Sequence, residues 1–187
     1  MPKAIKMLRE DHEKVKGLFQ QFEQSESNGK KEIVATTLQE LEIHTALEEE
    51  IFYPAARQAL EEESEETDIM DEAWEEHHVV KLVAAELKKM RPNDERYDAK
   101  FTVMAESVKH HIEEEESELF PKLEGHIDEE ALGEQMMARK EKLRQRPASA
   151  SRSRTTKAKT RSRTGTRGKR KPGSEKKRRS RAAGGRR

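Results

Sequence analysis

The stretches LEIHTALEEEIFYP (Leu41–Pro54) and VKHHIEEEESELFP (Val108–Pro121) overlay with a shift of 67 positions. The overlay matches His44 with His111, Glu48 with Glu115, Glu49 with Glu116, Tyr53 with Phe120 and Pro54 with Pro121. In each copy the histidine and the first matched glutamate are one helical turn apart and share a face. A pattern of His, Glu, Glu, aromatic and Pro written twice predicts two similar contributions to one structure.

Working outward, both stretches lie on helical stripes. Ile5, Leu8, His12, Val15, Phe19 and Phe22 follow steps of three and four, the spacing of a helix with one core-facing side. This first helix is expected to end in SESNGK (Ser25–Lys30), where Gly29 and the polar cluster break the pattern. The second runs from about Lys31 through Val34, Thr37, Leu41, His44, Glu48, Ile51 and Ala55, with Pro54 expected to end or kink it. Met70, Ala73, His77, Val80, Ala84 and Leu87 form the third, stopped before Arg91-Pro92-Asn93-Asp94. Tyr97, Phe101, Met104, Val108, His111, Glu115 and Leu119 form the fourth, ending near Gly125. A short helix around Glu129–Leu143 either packs on the bundle or leads into the tail. The expected organisation is an all-α domain over residues 1–126, a short helix or linker over 127–144 and a tail over 145–187.

Charge divides the chain in the same way. Over 187 residues the formal net charge is zero, but residues 1–141 hold 18 Lys+Arg against 37 Asp+Glu, and residues 142–187 hold 20 against 1. An acidic body of −19 is followed by a basic segment of +19. Without cysteine the chain has no disulfide, thiolate zinc site or Cys-ligated cluster, so any metal must rest on His and carboxylate. MPKAIKMLRE has no apolar leader core, and no apolar run reaches the length of a membrane span. The expectation is a cytoplasmic protein.

Each of the four stripes carries a histidine among apolar residues, and two add a glutamate one turn later. A single seam histidine is ordinary core; four on helices that pack together are not. EEE at 48–50 and EEEE at 113–116 would read as solvated helix face, yet Glu48 and Glu115 fall on the apolar side. Burying two unpaired carboxylates costs several kcal/mol each, which a bound cation removes. The six candidate ligands His12, His44, Glu48, His77, His111 and Glu115 exceed the needs of one tetrahedral zinc, and calcium or magnesium prefers oxygen donors. Imidazole with carboxylate suits iron or manganese, and the count favours two ions.

Asp11-His12, His44-x-x-x-Glu48-Glu49 with Phe52-Tyr53-Pro54, Glu76-His77, and His111-x-x-x-Glu115-Glu116 with Leu119-Phe120-Pro121 together resemble the hemerythrin-like, HHE cation-binding domain over roughly residues 3–125. The resemblance implies an up-and-down four-helix bundle holding two non-haem iron ions, carboxylate- or oxo-bridged, that meet dioxygen, peroxide or another small ligand. It also explains the doubled motif: EDHEKVK (Glu10–Lys16) and EEHHVVK (Glu75–Lys81) align with a shift of 65, so two similar helical hairpins each supply one His and one His-x-x-x-Glu pair. The oxygen-carrying hemerythrins have a further histidine where Lys81 stands, and an aspartate five residues after the last histidine where Glu115 stands at four. One imidazole fewer leaves a coordination position open and keeps oxygen or iron sensing and nitric oxide or peroxide chemistry in view.

His78 rivals His77, because Glu75-x-x-His78 is the spacing of ferritin-like di-iron proteins, but that motif occurs only once and both stripe and repeat select His77. His110 and His126 read as surface residues, and Trp74 and the methionines as core packing. RPASASRSRTTKAKTRSRTGTRGKRKPGSEKKRRSRAAGGRR (Arg146–Arg187) has no apolar periodicity and is expected to be disordered. Its Arg161, Arg163, Arg167, Lys169, Arg170, Lys171, Lys176, Lys177, Arg178 and Arg179 are candidates for non-specific phosphate contacts with nucleic acid; the acidic body, anionic lipid and polyphosphate are the competing partners. Such a tail predicts nucleoid association, or nuclear entry in a eukaryotic host. Two functions stay open: a binding or sensing module tethered to nucleic acid, and a di-iron peroxidase or catalase-like enzyme protecting against oxidative stress.

Overall fold

The computed structural model describes residues 2–60 and 65–145. The ten basic tail residues named above lie outside them. Within the described residues the chain is built from α1 (Ala4–Gln24), α2 (Ser27–Leu47), α3 (Tyr53–Ala59), α4 (Glu65–Leu87), α5 (Tyr97–Glu114), α6 (Phe120–Leu123) and α7 (Glu129–Arg144). A π-helical turn, Glu48–Phe52, joins α2 to α3, and a second, Glu115–Leu119, joins α5 to α6. With these turns counted, α1, α2–α3, α4 and α5–α6 are the expected four-helix bundle, and α7 is a fifth helix lying against α1 and α2.

Pro54 and Pro121 lie inside helical chain rather than at its end. Proline has no N–H to donate to the carbonyl four residues back, and each helix absorbs the missing bond by widening for one turn. The Tyr53 and Phe120 N–H groups accordingly donate five residues back, to the carbonyls of Glu48 and Glu115. Helix two thus continues to Ala59, where a kink or stop was expected. It also starts earlier than Lys31: the turn needs only Ser25 and Glu26 in extended conformation, and Ser27–Lys30 are helical.

The core lies in two apolar clusters. One gathers Ile5, Leu8, Leu47, Phe52, Met70, Leu119, Phe120 and Met136; the other gathers Val15, Phe19, Leu41, Val80, Phe101, Met104, Val108 and Ile112. Between them along the helices sit the buried polar side chains His12, His44, Glu48, His77, His111 and Glu115, all at or below 5 % exposure. Four methionines (Met7, Met70, Met104 and Met136) are core, as expected, but Met137 and Trp74 are exposed, Trp74 at 47 %. Trp74 follows Ala73, which takes the inward position on that turn, so the indole is rotated off the stripe.

Helix α7 is fixed at several points. Asp128 caps its first turn by accepting from Ala131 N–H at 3.0 Å. Gly125, at φ +81°, makes the preceding bend in a conformation glycine tolerates and other residues rarely adopt. Met136 is fully buried with α1 and α2 residues, and Arg139 grips Glu50 through Nε and Nη2 at 2.6 and 2.8 Å. Gly133 lies against the N-terminal strand of chain: a Cβ there would stand 2.0 Å from the Pro2 carbonyl oxygen. Gly133→Ala is therefore expected to destabilise the fold by about 1–3 kcal/mol, the usual cost of overpacking against backbone. A calorimetric Tm equal to that of the parent protein would show that α7 does not pack here.

Candidate metal centre

Four helices deliver the site because each carries its histidine on the buried stripe. The imidazoles meet in two pairs: His12 Nε2 is 3.2 Å from His44 Nε2, and His77 Nε2 is 3.2 Å from His111 Nε2. Two glutamates lie between the pairs. Glu48 turns Oε1 to His44 Nε2 at 3.0 Å and Oε2 to His77 Nε2 at 3.3 Å, so it offers one oxygen to each half. Glu115 offers a single oxygen to both: Oε2 is 3.3 Å from His12 Nε2 and 3.5 Å from His111 Nε2. Its other oxygen, Oε1, accepts from the Tyr53 hydroxyl at 2.8 Å.

Outside this cage a second set of carboxylates orients the rings. His12 Nδ1 donates to Glu116 at 2.7 Å, His77 Nδ1 to Glu49 at 3.0 Å and His111 Nδ1 to Glu76 at 3.0 Å. A carboxylate only accepts, so these bonds place a proton on Nδ1 and direct each Nε2 inward, the arrangement that prepares imidazole for a metal. The outer carboxylates are themselves held by cations. Glu49 pairs with Lys81, and Glu116 lies 3.6 Å from Arg9 and 3.5 Å from Lys16. Aromatic rings close the cage: Tyr53 stacks on His77 and Phe120 on His12, each at 5.8 Å between centroids.

The electrostatics show burial opposed at Glu48, His77 and His12 by their charged neighbours. Burial pushes the Glu48 pKa up, but the imidazoles of His44 and His77 outweigh it and hold the carboxyl well below its usual range. Burial likewise pushes His77 down, and the carboxylates of Glu48 and Glu49 reverse this and raise it to about 9. His12 is raised in the same way, by Glu115 first. Burial and the charges of Glu115 and Glu48 push the Tyr53 phenol well above its ordinary value, so it keeps its proton. Even so, both oxygens of Glu48 and Oε2 of Glu115 are buried without a hydrogen bond. Each unsatisfied group of this kind costs about 1–3 kcal/mol or more. Ligand atoms of His12, His44, Glu48 and Glu115, and of Glu48, His77 and His111, fall within 4.8 Å of one another in two groups sharing Glu48. Orphaned oxygens and converging nitrogens fit a pair of cations.

All six expected residues meet in one cage. His78, the rival of His77, is exposed, as are His110 and His126. Lys81 does not face the cage: it is half exposed and engages Glu49 from outside. Tyr53 is the contributor that the sequence pattern named only as an aromatic position; its signal was the hydroxyl by which it differs from its partner Phe120.

Comparison with known proteins places the fold in a cation-binding family. Residues 3–123 match the family described as the hemerythrin HHE cation binding domain. A solved structure of a hemerythrin HHE cation binding domain-containing protein from Mycobacterium kansasii superposes with a TM-score of 0.64 at 26 % identity, covering 77 % of this chain and 88 % of that one. An uncharacterized hemerythrin-like protein of Schizosaccharomyces pombe is 33 % identical over 91 residues, which are 49 % of this chain and 44 % of that protein. A protein named DNA nickase from Nostoc sp. is 27 % identical over 144 residues, 75 % of this chain and 40 % of that protein. The chain thus spans less than half the length of either curated relative. With four helices, a doubled His-x-x-x-Glu motif and a matching sequence signature, it belongs to the hemerythrin HHE cation-binding family.

Proposed function

We propose that the cage holds two non-haem iron ions, with manganese as the alternative metal, and that the protein binds dioxygen or peroxide there as a sensing module tethered to nucleic acid by its basic tail. The observation that carries the metal reading is the set of three buried carboxylate oxygens without hydrogen bonds, facing four inward Nε2 atoms. His12 and His44 would help hold one ion and His77 and His111 the other, with Glu48 and Glu115 lying between the two pairs. A pair of such ions supplies reversible binding or reduction of small oxygen species. The chain's own residues orient and insulate: Glu116, Glu49 and Glu76 fix the rings, Phe120 covers His12, and Tyr53 covers His77 and carries a proton beside Glu115.

Metal analysis after loading tests this reading. Glu48→Ala and Glu115→Ala are expected to lower bound iron from about two ions per chain to one or none, because each loses a shared ligand. Glu49→Ala removes only the acceptor behind His77, so it should weaken retention about tenfold at unchanged saturation. Equal behaviour of all three would show that position on the buried stripe does not choose the ligands.

A second reading, peroxide turnover, is favoured by the Tyr53 hydroxyl beside Glu115, a proton donor held within 2.8 Å of the bridging carboxylate. If it delivers a proton in catalysis, Tyr53→Phe should keep the iron count and cut peroxide consumption by about 100-fold or more. Unchanged, slow consumption in both proteins leaves the binding module as the function.

The nucleic-acid part rests on the charge of residues 142–187, 20 Lys+Arg against a single acid, and gains support from similarity to the Nostoc protein named DNA nickase. Lysines and arginines spaced through Ser, Thr, Gly and Ala neutralise phosphates without reading bases. Full-length protein should bind unrelated duplexes alike, and removal of residues 146–187 should abolish binding while iron content stays the same. If about ten cations engage together, log K should fall against log salt with a slope near −9. Indifference of the full-length protein to DNA at low salt would remove nucleic acid as a partner.

A further inference from the structure

Three of the four cage histidines have an outer acceptor within 3.0 Å of Nδ1; His44 does not. Its buried Nδ1 makes no hydrogen bond, and the nearest carboxylate, Asp11 Oδ2, stands 4.0 Å away. Asp11 occupies the place that Glu76 takes in the other hairpin, where the longer glutamate reaches His111 at 3.0 Å. Aspartate is one methylene shorter and falls short. What holds it there is not another bundle helix but α7: Lys140 Nζ pairs with Asp11 Oδ1, and both side chains are nearly buried, at 14 % and 10 % exposure. The two oxygens of Asp11 therefore face different partners, one the lysine of α7 and the other the ring of His44.

We propose that Lys140 is a positioning residue for the ion position formed by His12 and His44, and that the docking of α7 and the filling of this position reinforce each other. The inference rests on the two-ion reading of the cage. An ion on His44 Nε2 leaves the ring proton on Nδ1 and polarises that N–H, which then requires an acceptor. Asp11 is the carboxylate in reach, and it is presented to His44 because Lys140 holds its other oxygen. Drawing Asp11 toward His44 moves a carboxylate tied to α7, so the helix is seated more firmly when the position is filled; by reciprocity, an undocked α7 weakens that ion. No such tie exists for the other half among the described residues. His111 is served directly by Glu76, and His77 by Glu49 with Lys81 of its own bundle. Helix α7 lies beyond residues 3–123, the span of the family match, and the basic segment follows it directly in sequence. Occupancy of one ion position thereby reaches the helix from which the tail continues.

The test uses full-length protein loaded anaerobically with ferrous iron and then exposed to a fixed concentration of chelator. Wild type should retain about two ions, and Lys140→Met, which keeps the aliphatic stem, should lose one of them about tenfold faster, as expected for removal of an outer support. Lys140→Arg should restore retention. In a His44→Ala background Lys140→Met should have no further effect, because residues acting through one another are not additive. Hydrogen exchange gives a readout that does not depend on iron chemistry: loading should slow exchange of α7 amides in wild type and leave it unchanged in Lys140→Met. Retention of both ions by Lys140→Met together with α7 exchange indifferent to iron overturns the proposal. So does equal loss of both ions, since a merely structural role for α7 would loosen both positions alike. A wild type that never holds a pair of ions overturns the two-ion reading beneath it, and that result needs no variant to be recognised.

Discussion

Everything in this bundle is arranged around two carboxylates buried where a bundle of this size would ordinarily place leucines. Glu48 and Glu115 lie at 0 and 1 % exposure between two apolar clusters. Without compensation, the desolvation of two such anions would consume much of the stability of a small domain. Nearby imidazoles offset part of this cost, which is why burial fails to raise Glu48, and the carboxylates in turn raise the His77 pKa to about 9. The offset is incomplete, because three carboxylate oxygens keep lone pairs without donors. A layer this polar is justified in a core only by a ligand that brings positive charge.

Geometry follows from the prolines. Pro54 and Pro121 leave a carbonyl four residues back without its donor, and each helix widens into a π turn beginning at the buried glutamate itself, Glu48 or Glu115. Four residues separate His44 from Glu48 and five separate Glu48 from Tyr53, yet all three face the cage, because the wider turn absorbs the extra residue. A straight α-helix would carry the ring of Tyr53 away from Glu115. The Pro after the aromatic in both copies of the motif is therefore a device for aiming the aromatic residue, and it acts without ending the helix.

Much of this could be read in advance because burial in a bundle is periodic. Steps of three and four selected Glu48 and Glu115 from runs of acids that are otherwise alike, and His77 from the pair His77-His78. Trp74 was expected inside although the stripe itself passes through the adjacent Ala73, and a kink or stop was expected at Pro54 from its missing backbone donor, since a stripe cannot foresee a π turn. Residues acting from the periphery were the least legible. Lys81, Lys16 and Arg9 lie on helices whose polar faces carry no periodic signal, and their role of holding outer carboxylates exists only once two helices are side by side. Lys140 is further hidden, since its helix has a weak apolar stripe and its partner Asp11 is 129 positions away.

The two hairpins are similar in sequence but do not make a symmetric cage. Tyr53 donates to Glu115, while Phe120 in the equivalent place has no hydroxyl to give Glu48. Glu115 therefore commits one oxygen to a hydrogen bond and shares the other, whereas Glu48 keeps both for the interior. On the outside, Glu76 reaches His111 unaided, and Asp11 stands off from His44 in the grip of Lys140. These differences fall on opposite sides of the cage. The half around His77 and His111 has its rings fully seated and the Tyr53 ring stacked on His77; the half around His12 and His44 has one unseated ring and a tether to α7. The two halves of the cage therefore seat their imidazoles to different degrees, so the same repeat that builds a paired site also makes its halves unequal.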